Sequence, residues 1–233
     1  MEDSTLASLP KFSEIHARAA KRKGGAAALE ALLPKAKTGA ALKRTKDDRY
    51  LAEMAACVFR SGFVWRIIEA KWPAFEEVFA GFDPVECAML SDEDLERIGG
   101  DARIVRHAKK ILSVRNNAVF VREIREEHGG FGRFVADWPA ADFVGLWELL
   151  KKRGDRLGGQ TGRYFLRFMG KETPMLSGDV VRALIDADVV DKNPTSKKAL
   201  LAVQDAFNQW AEESGQDRSA ISRILACSVD SAD

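Results

Sequence analysis

One period constrains this chain more than anything else in it. Over residues 47–70 the apolar side chains Leu51, Met54, Val58, Val64, Ile67 and Ile68 recur on one face of a helix. Gly62 interrupts that run and allows two helices in place of one. Trp72-Pro73 is expected to end the element, with a short helix following at 74–81. The same period continues on both sides. Residues 12–34 read as two short amphipathic helices that break at Gly24-Gly25 and stop at Pro34. Ser91 is placed as an N-cap with Asp94 three residues on and acids in the first turn. Helices are expected at about 103–127, 131–136, 142–153, 161–169, 178–187, 196–213 and 218–226. Strand-like alternation is nearly absent; the run at 188–190 is too short to pair. The expected fold is all-α.

Composition narrows the class. The chain has 233 residues, enough for one large domain or two small lobes. Hydrophobic residues make up 46% and charged residues 30%, as in ordinary globular proteins. The net charge is +1, so no global field draws it to nucleic acid, and a charged partner must meet a local patch. Cys57, Cys87 and Cys227 are scattered, which argues against a disulfide framework or an iron–sulfur cluster. With His16, His107 and His128 they make no metal-ligand spacing, so no metal and no cofactor is expected. No apolar run is long enough for a bilayer, and Met1-Glu2-Asp3 is unlike a signal peptide. A cytoplasmic monomer with no membrane partner is expected.

Charge is nonetheless segregated. Residues 83–97 carry six acids and one base. Residues 103–115 carry Arg103, Arg106, Lys109, Lys110 and Arg115 with no acid. A second basic block, 151–167, holds six bases and one acid, and in its middle lies Leu157-Gly158-Gly159-Gln160-Thr161-Gly162. A basic run by itself is usually a solvated helix face. A glycine turn between two helices adds something. It presents unpaired backbone N–H groups at the positive end of the second helix dipole, which together attract an anion such as phosphate. Glycine lets that anion approach without a Cβ in the way. Leu157 anchors the turn in the core. The plain alternative is an αα-turn with glycine as a C-cap.

The hairpin and the following "PMLSGDVVRAL" resemble, in order, the hairpin and the aspartate-bearing helix start of the helix-hairpin-helix DNA glycosylases. Further stretches, "LAEMAACVFRSGFVWRII", "FDPVECAMLSDEDLERI", "RIVRHAKKI" with Asn117-Ala118 beyond it, and "LKKRGDRLGGQTGRYFLRF", resemble the 3-methyladenine DNA glycosylase I family. They cover about residues 46–185. The resemblance implies a helix-hairpin-helix glycosylase fold with two helical lobes around a cleft. It also implies residues 1–45 as a helical arm and basic connector, and 46–228 as the glycosylase-like domain. The expected partner is double-stranded DNA containing a damaged base.

The departures are as informative. The family's N-terminal metal-binding Cys and His are absent from residues 1–45 except for His16. Its C-terminal ligands are absent from "VVRALIDA" at 180–187, so its structural zinc should be missing. The family's pocket glutamate falls on Cys57, which as a neutral thiol cannot act as a carboxylate. Its pocket tryptophan matches Trp65. The usual catalytic aspartate falls on Ser177, with Asp179 two residues on. No lysine lies between Leu157 and Met169, so β-elimination is not expected.

The resemblance assigns the chemistry as follows. The base must leave the stack at a cost of a few kcal/mol. Stacking on an aromatic platform returns roughly 1–3 kcal/mol per base. A cationic alkylated purine stacks well and leaves readily. A carboxylate near the sugar stabilises the charge that develops there. Trp65, Cys57, Phe59 and Phe63 are the expected base pocket, with Tyr164 a further available aromatic. Trp72, Trp138, Trp147 and Trp210 sit in core-like contexts. Asp179 is the expected carboxylate and Glu53 the second candidate. Glu53 lies twelve residues before Trp65 on the same long helical run, about three turns away, so the two are expected to point to similar sides. Gly158, Gly159, Gln160, Thr161, Gly162, Arg163, Lys151 and Lys152 are the expected DNA contacts, with Arg103 and Arg106 on the same face. The function implied is a monofunctional glycosylase for alkylated, 3-methyladenine-like purines in base excision repair. The alternative is a helical DNA-binding protein that keeps the hairpin without the chemistry. A helical module that binds no nucleic acid would leave the paired basic segments without a purpose.

Overall fold

The computed structural model describes residues 9–230; the acidic start Met1-Glu2-Asp3 lies outside them. Every regular element among the described residues is a helix. In chain order they are α1 Phe12–Lys23, α2 Ala26–Glu30, α3 Gly39–Arg44, α4 Asp47–Arg60, α5 Trp65–Val78, α6 Pro84–Ala88 and α7 Asp92–Gly100. Then come α8 Ala108–His128, α9 Phe131–Asp137, α10 Phe143–Arg153, α11 Gln160–Met169, α12 Gly178–Asp186, α13 Lys197–Ser214 and α14 Arg218–Ser228. Among the described residues no helix is long and apolar enough to cross a membrane.

Local chemistry explains most of the ends. α1 stops at Gly24, whose φ of 87° places it in the left-handed region. Ser91 and Asp94 form a reciprocal capping box that starts α7: the Asp94 N–H donates to Ser91 Oγ at 3.1 Å, and the Ser91 N–H donates to Asp94 at 3.1 Å. Ser177 caps α12 by accepting from the Val180 N–H.

The chain packs as two compact units. One comprises the described parts of Met1–Ala36, Ala140–Val144 and Glu172–Asp233; the other comprises Lys37–Pro139 and Gly145–Lys171. The segment read as an N-terminal arm is therefore shared, its first part in one unit and residues 37–45 in the other. In the first unit α14 packs against α1, α12 and α13 around Ile15, Phe207, Trp210, Ile221 and Ile224, all buried. The Trp210 indole N–H, buried with its ring, donates to the Pro10 carbonyl at 3.1 Å.

In the second unit α4 packs against α8 and α11. Tyr50, Phe120, Phe131 and Phe165 are fully enclosed there and meet at ring distances of 5.3–6.3 Å. Each such side chain contributes about 1.5–3 kcal/mol by burial. The run 47–70 divides in two, the alternative that Gly62 left open: α4 ends at Arg60 and a new helix begins at Trp65. One expectation fails here. Pro73 does not end that helix, which runs through it to Val78. Packing overrides the proline: Trp72 stacks on Phe75 and Phe82, and its indole N–H donates to Glu76 at 3.0 Å.

Candidate active site

The break between α4 and α5 builds the pocket. Gly62 turns the chain with φ of 74°. The buried Lys110 of α8 reaches in from below and donates to the carbonyls of Phe59 (3.2 Å) and Ser61 (2.5 Å). These are carbonyls that a helix end leaves without a partner. The Lys110 ammonium also lies 4.4 Å from the Phe63 ring. Burial, and then the charge of Arg156, pull its pKa below the usual lysine value. The loop is thus pinned, and it delivers Trp65 to the surface with 40% of its area exposed.

α11 supplies the facing wall. Tyr164 and Phe168, four residues apart, share one face and stack at 5.7 Å. Trp65 meets both edge-to-face, at 5.5 Å and 5.8 Å. These rings border a cavity of about 240 Å³. Cys57 and Arg60 close it from α4, Ser61 to Phe63 from the loop, and Gln160 and Thr161 from the start of α11. Of the expected pocket residues, Trp65, Cys57 and Phe63 are therefore together. Phe59 is not among them; it is fully buried against Phe75 at 4.6 Å. Burial and the neighbouring Glu53 push the Cys57 thiol far above its usual range, so it is neutral. Phe168 and Arg60 escaped the sequence reading. Their signals were spacings on a single helix face, four beyond Tyr164 and three beyond Cys57.

Glu53 is not a free carboxylate in this pocket. It accepts from Arg60 Nη1 at 2.8 Å and from Cys57 Sγ at 3.5 Å. It lines an adjoining cavity of about 580 Å³ with Arg49, Glu69 and Glu76. Because the helix breaks between them, Glu53 and Trp65 do not share one helix. Asp179 belongs to the other unit, in the first turn of α12, half-buried.

The hairpin joins α10 to α11. Leu157 is buried, as expected of its anchor. The turn closes so tightly that a Cβ on Gly162 would fall 2.2 Å from the Leu157 carbonyl oxygen, and one on Gly154 would fall 2.6 Å from Leu157 Cδ1. Gly159, with φ of 60° and ψ of −134°, stands before α11 in open space and offers no side-chain cap. From α8 the buried Asn117 holds the turn at Asp155. It donates to that carbonyl at 3.0 Å and accepts from that N–H at 2.8 Å.

The basic side chains divide. Lys151 and Lys152 are exposed and form no ion pair among the described residues. Arg163 is turned inward: its guanidinium lies 4.2 Å over the Trp147 ring, its Nε is buried without a partner among the described residues, and burial lowers its pKa to about 10. Arg103 is tied to Asp101 and Glu77, each at 2.8 Å, whereas Arg106 is exposed. Among the described residues no three His, Cys, Asp or Glu side chains come together as a metal site.

Known proteins are similar to this chain in sequence or in fold. The methyladenine glycosylase family matches residues 41–147, a stretch that includes Cys57 and Trp65 and stops before the hairpin. DNA-3-methyladenine glycosylase 1 of Escherichia coli (strain K12) is 33% identical over 90 residues, 38% of this chain and 48% of the relative. The match thus spans about half the length of that relative. The crystal structure of the 8-oxoguanine DNA glycosylase of Thermotoga maritima covers 92% of this chain and 95% of its own, at 18% identity and a TM-score of 0.52. That of Methanocaldococcus jannaschii covers 91% and 89%, at 15% and 0.52. At these identities the two structures speak to the fold alone. Over residues 41–147 the chain is thus similar to the methyladenine glycosylase family, and it shares the all-helical fold of these two DNA glycosylases.

Proposed function

We propose that the protein is a monofunctional DNA glycosylase that receives a damaged purine of the alkylated class in the pocket of Trp65, Tyr164 and Phe168. One observation carries the reading. The helix whose N-terminus forms the hairpin also supplies two pocket rings and, through Gln160 and Thr161, part of the pocket wall. Tyr164 is four residues from Gln160, about 6 Å along the axis at 1.5 Å per residue. One helix can therefore meet a phosphate with its first backbone N–H groups and an extruded base with its aromatic face. Lys151 and Lys152 stand at the end of α10, just before that turn.

The carboxylate proposed near the sugar is Asp179. Ser177, at the family's usual aspartate position, is occupied as the cap of α12 and bears no charge to offset a cationic sugar. An acid in a first helical turn is also favoured by the helix dipole, by about 0.3–1 kcal/mol, without any catalytic role. Glu53 is the second candidate, and its ion pair with Arg60 argues against it. The absence of lysine from Leu157 to Met169 leaves water as the nucleophile.

The test is release of free base from alkylated duplex DNA, followed by chromatography. Trp65→Ala should abolish release while binding to undamaged duplex stays near the parent value. Equal loss of both, with a lowered melting temperature, would make Trp65 a structural residue only. Asp179→Asn should stop release; full activity there with none in Glu53→Gln would move the role to Glu53. Binding without release in the parent protein would favour a DNA-binding protein that has lost the chemistry.

A further inference from the structure

The basic connector that precedes α4 has no part in the base pocket, yet the fold gives it a place. Gly132 of α9 lies so close to α3 that a Cβ there would stand 2.5 Å from the Leu42 carbonyl oxygen and 3.1 Å from that of Thr45. This close approach brings Arg44 of α3 and Lys46, the N-cap of α4, into one cleft with Arg133 of α9 and Arg125 of α8. The cleft is open, holds about 700 Å³ and lies at the amino end of α4. Six cations line it against three carboxylates. Each carboxylate is committed. Asp47, buried, accepts from Arg125 Nε at 2.8 Å and from the Phe131 N–H at 2.9 Å. Asp48 accepts from the Arg49 N–H at 2.8 Å, and Asp83, the cap of α6, accepts from the Val85 N–H at 2.8 Å. Among the cations, Lys43 is paired with Asp137 and Arg49 with Glu76. Arg44, Lys46 and Arg133 are exposed, and their side chains form no hydrogen bond or ion pair among the described residues.

We propose that this cleft is a second phosphate site, which takes the backbone of the bound duplex about six base pairs from the lesion. The inference rests on the reading of DNA as the partner and adds a second place where the protein holds it. Cleft and base pocket open along one face of α4. Thr45 and Arg49 line both the cleft and the cavity of Glu53, and Arg60 and Phe168 line both that cavity and the base pocket. α4 has 14 residues, so the two ends lie about 20 Å apart at 1.5 Å per residue. The phosphates of one strand advance about 3.4 Å per base pair along the duplex axis, which sets the distance of about six base pairs.

The chemistry of the cleft suits phosphate. A cleft lined by an excess of one sign of charge focuses its field and draws in the opposite ion. Arg44 and Arg133 can each grip a phosphate through two parallel N–H bonds, while Lys46 adds a point charge. The cavity between cleft and base pocket carries Glu53, Glu69 and Glu76 and repels phosphate, so the backbone is held at the two ends of α4 and not along it. A free chain of phosphates offers the same groups, and the measurements below separate it from DNA.

Binding of labelled duplexes to the intact protein is read by fluorescence anisotropy across a salt series. Each duplex carries one stable abasic-site analogue, at its centre or about three base pairs from one end or the other. An end that close leaves no phosphate for the cleft. One end placement, and not the other, should therefore lower the salt slope, by up to about 2.7 for three contacts at about 0.9 each. The triple variant Arg44→Ala/Lys46→Ala/Arg133→Ala should lower the slope of the central placement by the same amount and leave that end placement unchanged. The end placements are compared on the parent protein, so the result stands even if the variant folds poorly. Equal slopes at the two ends, or a variant slope equal to that of the parent, would overturn the proposal. Inorganic tripolyphosphate alone is titrated by calorimetry. If the parent binds it, the variant does not, and the duplexes show no end effect, the cleft takes free phosphate chains and the assignment to DNA is overturned. Base release by the parent protein is measured alongside. An end effect without release would remove the glycosylase reading and leave the cleft standing. Release without an end effect would do the opposite.

Discussion

The two basic segments of this chain look alike as strings and differ as structures. In 103–115 most of the charge is consumed. Arg103 is held by Asp101 and Glu77, Arg115 by Asp92 and the Leu90 carbonyl, and Lys110 is buried under the end of α4. In 151–167 the consumption is selective. Arg153 is paired with Glu123 and Glu127, and Arg163 lies against Trp147. Lys151 and Lys152, which flank the glycine turn, are left to solvent. A run of like charge therefore says little about which charges can meet a phosphate. What distinguishes the second segment is a turn that holds free cations beside exposed backbone.

The comparison can be broken most severely at the turn. Gly162→Ala should have the largest effect. Its Cβ would meet a backbone oxygen at 2.2 Å, which a rotamer change cannot relieve. Overpacking of this kind costs roughly 1–3 kcal/mol, and the shift would also reorganise the hairpin. Denaturant unfolding should show the loss of stability, and duplex binding should fall with it. A variant with parent stability and parent binding would mean that the close packing of the turn does not matter.

A smaller effect is expected from the lysines. The double variant Lys151→Ala/Lys152→Ala should fold normally and bind duplex DNA with a shallower salt dependence. Each phosphate contact accounts for roughly 0.9 in the slope of log K against log salt, so the pair should remove up to about 1.8. An unchanged slope would place the DNA elsewhere on the protein.

How much of this was legible in the sequence depends on the reach of each signal. Helix ends fixed by neighbours in the chain were readable: Gly24, the Ser91–Asp94 box, the bounds of α11. The hairpin was readable because Leu157 and its glycines lie within a few residues. The partners of the basic side chains were not. Arg103 finds Glu77 across 26 residues, and Lys110 finds the Phe59 carbonyl across 51. α5 runs through Pro73 because Phe82, from beyond its end, stacks on Trp72. The pocket was half legible. Trp65 and Cys57 came from the family resemblance, whereas Arg60 acquired its place only when α4 stopped there and α11 brought Phe168 alongside.

Within the first segment Arg106 and Arg103 permit a finer comparison. Arg106 is exposed and without an ion pair among the described residues, so Arg106→Ala tests whether that face touches DNA at all. A fall in the salt slope of up to about 0.9 would count it as one phosphate contact.

Arg103→Ala should produce the smallest change of all. Its guanidinium is spent on both carboxylate oxygens of Asp101 and on Glu77. These bonds hold the Asp101 carboxyl below its usual pKa. A phosphate could recruit Arg103 only by displacing two carboxylates, and it would bring its own negative charge next to them. Contact with DNA would then repel Asp101 and Glu77 and return little. The salt slope of Arg103→Ala should therefore equal that of the parent protein, while Asp101→Asn, which loosens the clamp, should steepen it if the segment lies near DNA. A slope that falls by about 0.9 in Arg103→Ala would show that the ion pairs open on binding. The difference drawn between the two basic segments would then hold only for the free protein.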